Sequence, residues 1–481
     1  MRTQRAGTAA IHYRYLFVFL LAPPLALLTL STAAGDEAAV RKQLQRSRDR
    51  YTTAESWAGR RAELREEFLK GARLWPLPER PPVPAIVHSR RDYGDYSVEN
   101  VALETLPGFY CTGNLYRPLG RKDLGPAILC PHGHFRPQGR FRANHQIRCA
   151  QLARMGATVF SYSMVGWQDS RQTTHDDPLV LALQTWNSLR AVDYLTGLER
   201  VDPQRVGIAG ASGGGTQSFF LSLIDDRVKA SAPLVIVYPW SAPDGCLCEG
   251  GLPVMQAADT NAIELAAATA PRPQLLISVG NDPTENFPDS GFPFIRHMYE
   301  VSGAADKVRN VHLADEGHDF GPTKRKLVYE FFARHLQMNP NRFLAPGNPQ
   351  SEVLPDEDLE RIKIETPEQM EVFNEKHPLP DHAVTGSAAV AAAFDRHLRD
   401  LRSADRRQSA GLSVREAPLA EYSFQPGDAD DEALLFTPPG FDKVGHPRVA
   451  SGAETGSVEL VLIDERTGQP APCRVNVVGP D

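Results

Sequence analysis

Short apolar runs alternate with longer amphipathic segments through the middle of this 481-residue chain. The short runs are rich in β-branched residues, as buried strands are, whereas the apolar side chains between them recur at helical spacing. This alternation predicts an α/β fold with a mostly parallel central sheet and helices on both faces. The predicted strands are residues 96–106, 109–116, 127–130, 157–162, 205–209, 228–237, 273–279 and 310–313, and the predicted helices include residues 146–155, 180–195, 216–224 and 327–336.

The pattern changes on either side of this central domain, which covers residues 91–340. Residues 35–90 are charged and helical in pattern, which predicts an N-terminal helical extension. Residues 341–455 combine helical pieces with polar, Pro-rich breaks, and we interpret them as a helical or irregular extension and linker.

The last segment, residues 456–481, predicts two strands at residues 457–463 and 473–478. Two strands cannot bury a face on their own, so we interpret this segment as the start of a truncated, partial β-sandwich-like domain. We expect this hairpin to be poorly packed and mobile, behind a linker at residues 426–448.

The N-terminus has the pattern of a secretory signal. Arg2, Arg5 and Arg14 precede an apolar run at residues 15–30, and small residues follow at 31–35. This predicts a signal peptide at residues 1–34 and an exported protein, periplasmic or extracellular. The run is short for a permanent membrane helix, so we expect no stable membrane insertion after cleavage.

Charge and cysteine content exclude several classes of function. The formal net charge of −7 leaves no basic footprint for nucleic acid. Six cysteines are too sparse for a disulfide scaffold. Cys246 and Cys248 lack a second Cys or His pair at zinc-site spacing, so we expect no metal and no cofactor.

The chemistry-bearing motif with the most specific context is the G-x-S-x-G run at residues 210–214. It lies between a predicted strand and a predicted helix, which is the setting of a nucleophile elbow. Glycines allow the sharp turn that exposes the hydroxyl of Ser212. The N–H of Gly213, at the start of the helix, would receive a developing oxyanion. The alternative is a glycine turn that only joins a core strand to a core helix.

A serine needs a base, and the base needs an orienting acid. Asp282 follows the predicted strand at residues 273–279, and His318 lies in the loop after the strand at residues 310–313. The chain order Ser, Asp, His fits a Ser212–His318–Asp282 triad. The other acids that compete for the third role are Glu249, Glu285, Asp289 and Asp315.

A second candidate segment follows the strand at residues 127–130, where the chain reads Pro-His-Gly-His-Phe. A His-Gly pair at this place supplies the second oxyanion donor in enzymes with an elbow, which here points to Gly133 and His134. His132 and His134 are also possible metal ligands, although no third ligand accompanies them at regular spacing.

These blocks, together with residues 163–170, 184–187 and 210–217, resemble the bacterial acetyl-xylan-esterase-like serine hydrolases of the α/β-hydrolase fold. The resemblance covers roughly residues 90–340 and implies Ser212 as nucleophile, His318 as base and Asp282 as acid. The family carries its acid in a Gly-Asp segment, where Asn281 intervenes in this chain.

The expected function is therefore that of an exported serine esterase that cleaves an acetyl or similar acyl ester, on a small molecule or a polysaccharide. Two other enzyme classes compete, a prolyl-oligopeptidase-like peptidase and a dienelactone-type hydrolase. No propeller-like strand repeats precede the hydrolase segment, which argues against the peptidase. A catalytically inactive hydrolase fold that binds carbohydrate is the alternative outside the enzymes.

Overall fold

The computed structural model describes residues 26–239, 246–249, 259–338, 357, 359–409, 448–449, 458–463 and 470–475. The chain divides into two compact units, Met1–Leu412 and Ser413–Asp481. Each unit has a sheet of its own.

One sheet organises the first unit. Its strands are β1 (Ala85–Asp92), β2 (Tyr96–Leu106), β3 (Phe109–Pro118), β4 (Gly125–Leu129), β5 (Thr158–Tyr162), β6 (Val201–Ala211), β7 (Val228–Leu234), β8 (Gln274–Val279) and β9 (Val308–Leu313). The spatial order is β1-β2-β3-β5-β4-β6-β7-β8-β9. β1, β2, β3 and β5 pair antiparallel in that order, and every pair from β5 to β9 is parallel. The predicted mostly parallel sheet is therefore confirmed.

Helices cover both faces of this sheet, as the sequence pattern predicts. The described α-helices are α1 (Ala26–Arg50), α2 (Ala54–Gly71), α3 (Ala143–Arg154), α4 (Val180–Thr196), α5 (Gly213–Ile224), α6 (Ala262–Ala267), α7 (Phe287–Ser290), α8 (Phe292–Val301), α9 (Pro322–His335), α10 (Pro367–Met370) and α11 (Ser387–Ser409).

Two apolar cores lie on the two faces of the sheet. Alternate residues of β4 point to different cores, Leu129 to one and Ile128 to the other, because successive side chains of a strand face opposite ways. The first core receives α2, α4 and α5, with Trp186 wholly buried. The second receives α3 and α9, with Phe332 wholly buried. Burial of aromatic side chains of this size stabilises the fold by about 2–3 kcal/mol each.

Residues 359–409 pack on the antiparallel edge of the sheet. The Arg91 guanidinium makes two hydrogen bonds to Glu365, of 2.7 and 2.8 Å. The Asn100 amide donates to the carbonyl oxygens of Gln369 and Glu371, at 3.0 and 2.8 Å. This segment, which the sequence suggests is an extension, therefore contacts β1 and β2 within the first unit.

The expected signal peptide falls mostly on residues 1–25, which lie outside the described residues. The described part of the chain begins at Ala26, in α1. Among the helices that the structure describes, none combines the length and the apolar character needed to cross a membrane.

The second unit contains a three-stranded antiparallel sheet, β10 (Arg448–Val449), β11 (Val458–Ile463) and β12 (Pro470–Val475). β11 matches the first predicted strand. β12 begins at Pro470, before the expected start at Cys473. Prolines are tolerated in it because it is an edge strand of this sheet.

Candidate active site

Ser212 lies on a sharp turn between β6 and α5. Its backbone has φ 55° and ψ −130°, a conformation that non-glycine residues rarely adopt. The Ser212 N–H donates to the Leu234 carbonyl at 3.1 Å, and its carbonyl accepts from the Thr216 N–H at 2.9 Å. These bonds hold a half-buried serine at the N-terminus of α5, where unpaired backbone N–H groups point outward.

The flanking glycines permit this turn. A Cβ added to Gly210 would lie 2.4 Å from the backbone of Gly214, and one added to Gly214 would lie 2.5 Å from the Pro131 carbonyl oxygen. Both distances are far below van der Waals contact. The elbow therefore needs glycine at both positions, because strand β6, helix α5 and the loop after β4 touch there through backbone atoms.

Asp282 and His318 are brought together at the carboxyl ends of β8 and β9. His318 Nδ1 lies 2.5 Å from Asp282 Oδ2. A carboxylate only accepts hydrogen bonds, so Nδ1 carries the proton and Nε2 is left free as a base. Asn281, immediately before Asp282, has φ 50°, a left-handed conformation that asparagine tolerates.

The Asp282 carboxylate is held in its charged form. Burial alone would raise its pKa, but hydrogen bonds from His318 and Thr284 lower it below its usual value. The Thr284 N–H and hydroxyl donate to Asp282 Oδ1 at 2.9 and 2.6 Å. The Asp282 side chain is only 2% exposed, whereas the His318 side chain is 40% exposed. The pair thus joins a fixed buried acid to an accessible imidazole.

The competing acids are placed differently. Glu249 Oε1 lies 3.5 Å from His134 Nδ1, and burial raises the pKa of Glu249. Glu285, Asp289 and Asp315 have exposed side chains. Among the described residues, the carboxylate that contacts the His318 ring is that of Asp282.

The loop after β4 packs directly on the elbow. A Cβ added to Gly133 would lie 2.4 Å from the Ala211 carbonyl oxygen and 2.9 Å from Ser212 Cβ. A Cβ added to Gly213 would lie 2.8 Å from His134 Cε1. The three residues predicted to form the oxyanion hole, Gly133, His134 and Gly213, are therefore neighbours of Ser212.

His132 hydrogen-bonds both to this loop and to the segment after β5. Its Nε2 accepts from the Met164 N–H at 3.0 Å, so its Nδ1 donates to the Gly133 carbonyl, at 2.8 Å. Burial lowers the pKa of His132 to about 3, which keeps the ring neutral. Both ring nitrogens are engaged, so the alternative in which His132 binds a metal does not fit its surroundings.

A small, partly open cavity adjoins the loop. Its walls include Gly133, Phe135 and Ala211, together with Arg142 and Asp319. The Phe135 ring also lies 6.1 Å from that of His318. Phe135 therefore links the cavity to the imidazole.

Side chains outside the expected triad also converge here. His134, His175, Cys246 and Cys248 place ligand atoms within 4.8 Å of one another. No sequence pattern points to His175. The fold nevertheless places a pair of histidines, His134 and His175, beside the two cysteines, although the sequence spacing shows no such pair. The sheet brings together loops that are far apart in sequence.

Comparison with known proteins gives the family. The chain is 35% identical to methylesterase BT1017, whose solved structure superimposes with a TM-score of 0.66 over 76% of this chain and 81% of that chain. It is 18% identical to an acetyl xylan esterase from Paenibacillus sp. R4, with a TM-score of 0.42 over 61% of this chain and 99% of that chain.

Among curated proteins, the chain is 25% identical to "Putative hydrolase YtaP" of Bacillus subtilis (strain 168) over 193 residues. That match spans 36% of this chain and 64% of the relative's own length. No family model matches the chain. The similarity in sequence and fold to BT1017 extends over most of both chains, so this chain belongs to the family of esterase-like α/β-hydrolases that includes methylesterase BT1017, enzymes of the carboxylic ester hydrolase kind.

Proposed function

We propose that the protein is a serine esterase in which Ser212, His318 and Asp282 form the catalytic triad. The observations that carry this proposal are the 2.5 Å contact between His318 Nδ1 and Asp282 Oδ2 and the strained elbow that holds Ser212. An inactive hydrolase fold that only binds carbohydrate would have no need to maintain either feature.

The proposed reaction has two stages. Ser212 Oγ attacks the ester carbonyl carbon while His318 Nε2 takes the hydroxyl proton, and Asp282 stabilises the resulting imidazolium. The tetrahedral oxyanion is held by N–H groups of Gly213 and of the Gly133–His134 loop. The C–O bond then breaks, His318 protonates the leaving alcohol, and an acyl-enzyme remains. Water, activated by His318, hydrolyses the acyl-enzyme and restores Ser212.

Two substrate types follow from the comparisons and the sequence. The resemblance to acetyl-xylan-esterase-like enzymes points to an acetyl group on a sugar hydroxyl, which would leave acetyl on Ser212. The similarity to a methylesterase points instead to a methyl ester, whose cleavage would release methanol. On a polysaccharide, a methyl ester has to be carried by the carboxylate of a uronic acid residue. We favour the methyl ester, because the 35% identity and the TM-score of 0.66 support it more strongly than the 18% identity to an acetyl xylan esterase.

Export remains part of the proposal. The basic residues, apolar run and small residues within the first 35 positions support a secretory signal. A polysaccharide substrate fits this location, since polymers too large to enter a cell must be cleaved outside its cytoplasm.

The test compares product release from two polymers. Purified protein is given a methyl-esterified uronic acid polysaccharide and an acetylated xylan, and methanol and acetate are measured. We expect methanol release at the higher kcat/KM. The Ser212→Ala variant should lower kcat at least about 10⁴-fold on whichever polymer is cleaved. Ser222→Ala, a matched control on the same helix whose hydroxyl bonds only to a backbone carbonyl, should retain activity.

Two outcomes would contradict the proposal. Release of acetate but no methanol would reject the methyl ester as substrate. A Ser212→Ala protein that retained more than about a tenth of the wild-type rate would reject the serine mechanism.

A further inference from the structure

Four metal-ligating side chains meet beside the proposed oxyanion loop. His134 follows β4, His175 lies between β5 and α4, and Cys246 and Cys248 follow β7. The carboxyl ends of these parallel strands lie at one edge of the sheet, which explains how residues so far apart in sequence meet.

The ligand atoms face a common point. His134 Nε2 lies 2.9 Å from His175 Nε2, 3.3 Å from Cys246 Sγ and 3.2 Å from Cys248 Sγ. Cys246 Sγ lies 3.3 Å from His175 Nε2 and 2.8 Å from Cys248 Sγ. One ring nitrogen has a single lone pair or a single hydrogen, so it cannot make hydrogen bonds to three neighbours at once. A cation among the four atoms would satisfy all of them together.

The other ring nitrogens are already oriented as metal-bound histidines require. His175 Nδ1 donates to the Val165 carbonyl at 2.6 Å, which leaves its Nε2 lone pair free to bind. His134 Nδ1 faces the Glu249 carboxylate at 3.5 Å. Carbonyl and carboxylate partners of this kind fix the tautomer and the orientation of a histidine ligand.

We propose that His134, His175, Cys246 and Cys248 form a structural Zn²⁺ site. Two thiolates and two imidazoles in tetrahedral array are a donor set typical of zinc. Zinc–ligand bonds of about 2.0–2.3 Å imply ligand separations of roughly 3.3–3.8 Å. The nitrogen–nitrogen and nitrogen–sulfur distances therefore need to grow by less than about 0.5 Å, and the two sulfurs, now 2.8 Å apart, need to separate by about 1 Å.

The proposed zinc site would have a structural role and would not bind substrate. All four tetrahedral positions are supplied by protein side chains, which leaves none for a reacting water, as in structural zinc sites. The metal would tie the loops after β4, β5 and β7 together. The loop after β4 carries His134, so the zinc would fix one side of the proposed oxyanion hole. This inference adds to the proposed function and does not depend on it.

The test measures metal directly on the full-length protein. The wild type is loaded with Zn²⁺, dialysed and analysed for metal per chain by mass spectrometry. A Co²⁺-loaded sample is examined by absorption spectroscopy. The matched variants are Cys246→Ser/Cys248→Ser, His175→Ala and, as a control for loss of a buried cysteine outside the cluster, Cys111→Ala.

We expect about one zinc per chain in the wild type and in Cys111→Ala, and less than about a tenth of that in the double cysteine variant. The Co²⁺ form should show the visible bands and thiolate charge-transfer absorption of a tetrahedral site. Chelation should lower the thermal midpoint of the wild type and leave that of the double variant unchanged, because only the wild type has a bound metal to lose.

Three results would overturn the proposal. One is a Zn²⁺-loaded wild type that retains no metal. Another is a Co²⁺ spectrum without thiolate bands, and the third is a disulfide between Cys246 and Cys248 in the purified protein. The first two are read on the wild type, so they stand even where a variant fails to fold. Loss of ester hydrolysis alone would not overturn the proposal, since metal content is measured independently.

Discussion

At the scale of single residues, Gly133 is a position in the site that leaves no room for a side chain. A Cβ there would lie 2.4 Å from the Ala211 carbonyl oxygen and 2.9 Å from Ser212 Cβ. We expect Gly133→Ala to lower kcat at least about 100-fold, because the loop must move away from the serine whose oxyanion it serves. Steady-state kinetics on a soluble ester measure this.

The matched control is Gly59→Ala, in the middle of α2, where a Cβ meets nothing within 4 Å. It should leave kcat unchanged and stabilise the fold by up to about 1 kcal/mol, because alanine favours the helix. Equal losses of activity in both variants would contradict the argument from close packing.

A second prediction separates the two acids near the histidines. Asp282→Asn should lower kcat about 10³–10⁴-fold, because an amide cannot hold the His318 ring in the required tautomer. Glu249→Gln removes a carboxylate that contacts His134, not His318, and should cost much less. Kinetics of both variants decide the matter, and a larger loss in Glu249→Gln would reverse the assignment.

Much of this residue-scale arrangement follows from the sequence. The elbow around Ser212 can be predicted from the spacing of its glycines. Asp282 and His318 can be predicted as its partners because each lies just after a predicted strand. His175 has no such local signature, since it lies in an ordinary loop. Its partnership with Cys246 depends on which strands are neighbours, and sequence spacing does not encode that.

At the scale of elements, the buried ion pair between Arg140 and Asp169 connects the loops after β4 and β5 to strand β3 and to the segment at residues 359–409. The Asp169 carboxylate accepts two hydrogen bonds of 2.8 Å from Arg140, one of 2.7 Å from Thr112 and one of 2.8 Å from the Val372 N–H. Burial raises the pKa of Asp169, but Arg140 and these bonds outweigh that effect and lower it overall.

We expect Asp169→Asn to destabilise the protein by about 3–5 kcal/mol, because it leaves the buried Arg140 charge without a counterion. Urea unfolding measures the loss. Asp395→Asn, which breaks an exposed pair with Arg73, should cost at most about 1 kcal/mol. Similar midpoints for the two variants would contradict the account.

The Arg140–Asp169 pair also makes the stability of the protein depend on pH. The folded pKa of Asp169 lies below its unfolded value, so its contribution is complete above the ordinary carboxyl pKa of about 4 and is lost as pH falls through the lower folded value. The stability difference between wild type and Asp169→Asn should therefore shrink as pH falls below about 4. A difference that stayed constant from neutral pH down to pH ~3 would contradict this.

Strands and helices can be predicted from the sequence where their burial produces a strong hydrophobic pattern. The central strands are continuous apolar runs because both faces are covered, and those runs mark them in the sequence. β1 escaped prediction because it is an edge strand with mostly exposed side chains, such as Val87 at 43%. β10 escaped because two residues carry no periodicity.

At the scale of the whole molecule, the described residues proposed for catalysis and for zinc all fall in the first unit. We therefore expect a chain that ends at Leu412 to fold and to keep its esterase kcat within about twofold, because a compact unit with its own core can fold alone. Kinetics and circular dichroism check this. Loss of folding in the truncated chain would show that the second unit is needed for the first.

The central claim is that Ser212 is a nucleophile activated by His318, and covalent labelling tests it most directly. The native protein is incubated with a fluorophosphonate probe, and the modified peptide is identified by mass spectrometry. The account predicts one probe per chain, on Ser212, with labelling abolished in Ser212→Ala and strongly slowed in His318→Ala. Labelling of another residue, or labelling of Ser212 at the same rate with and without His318, would contradict it.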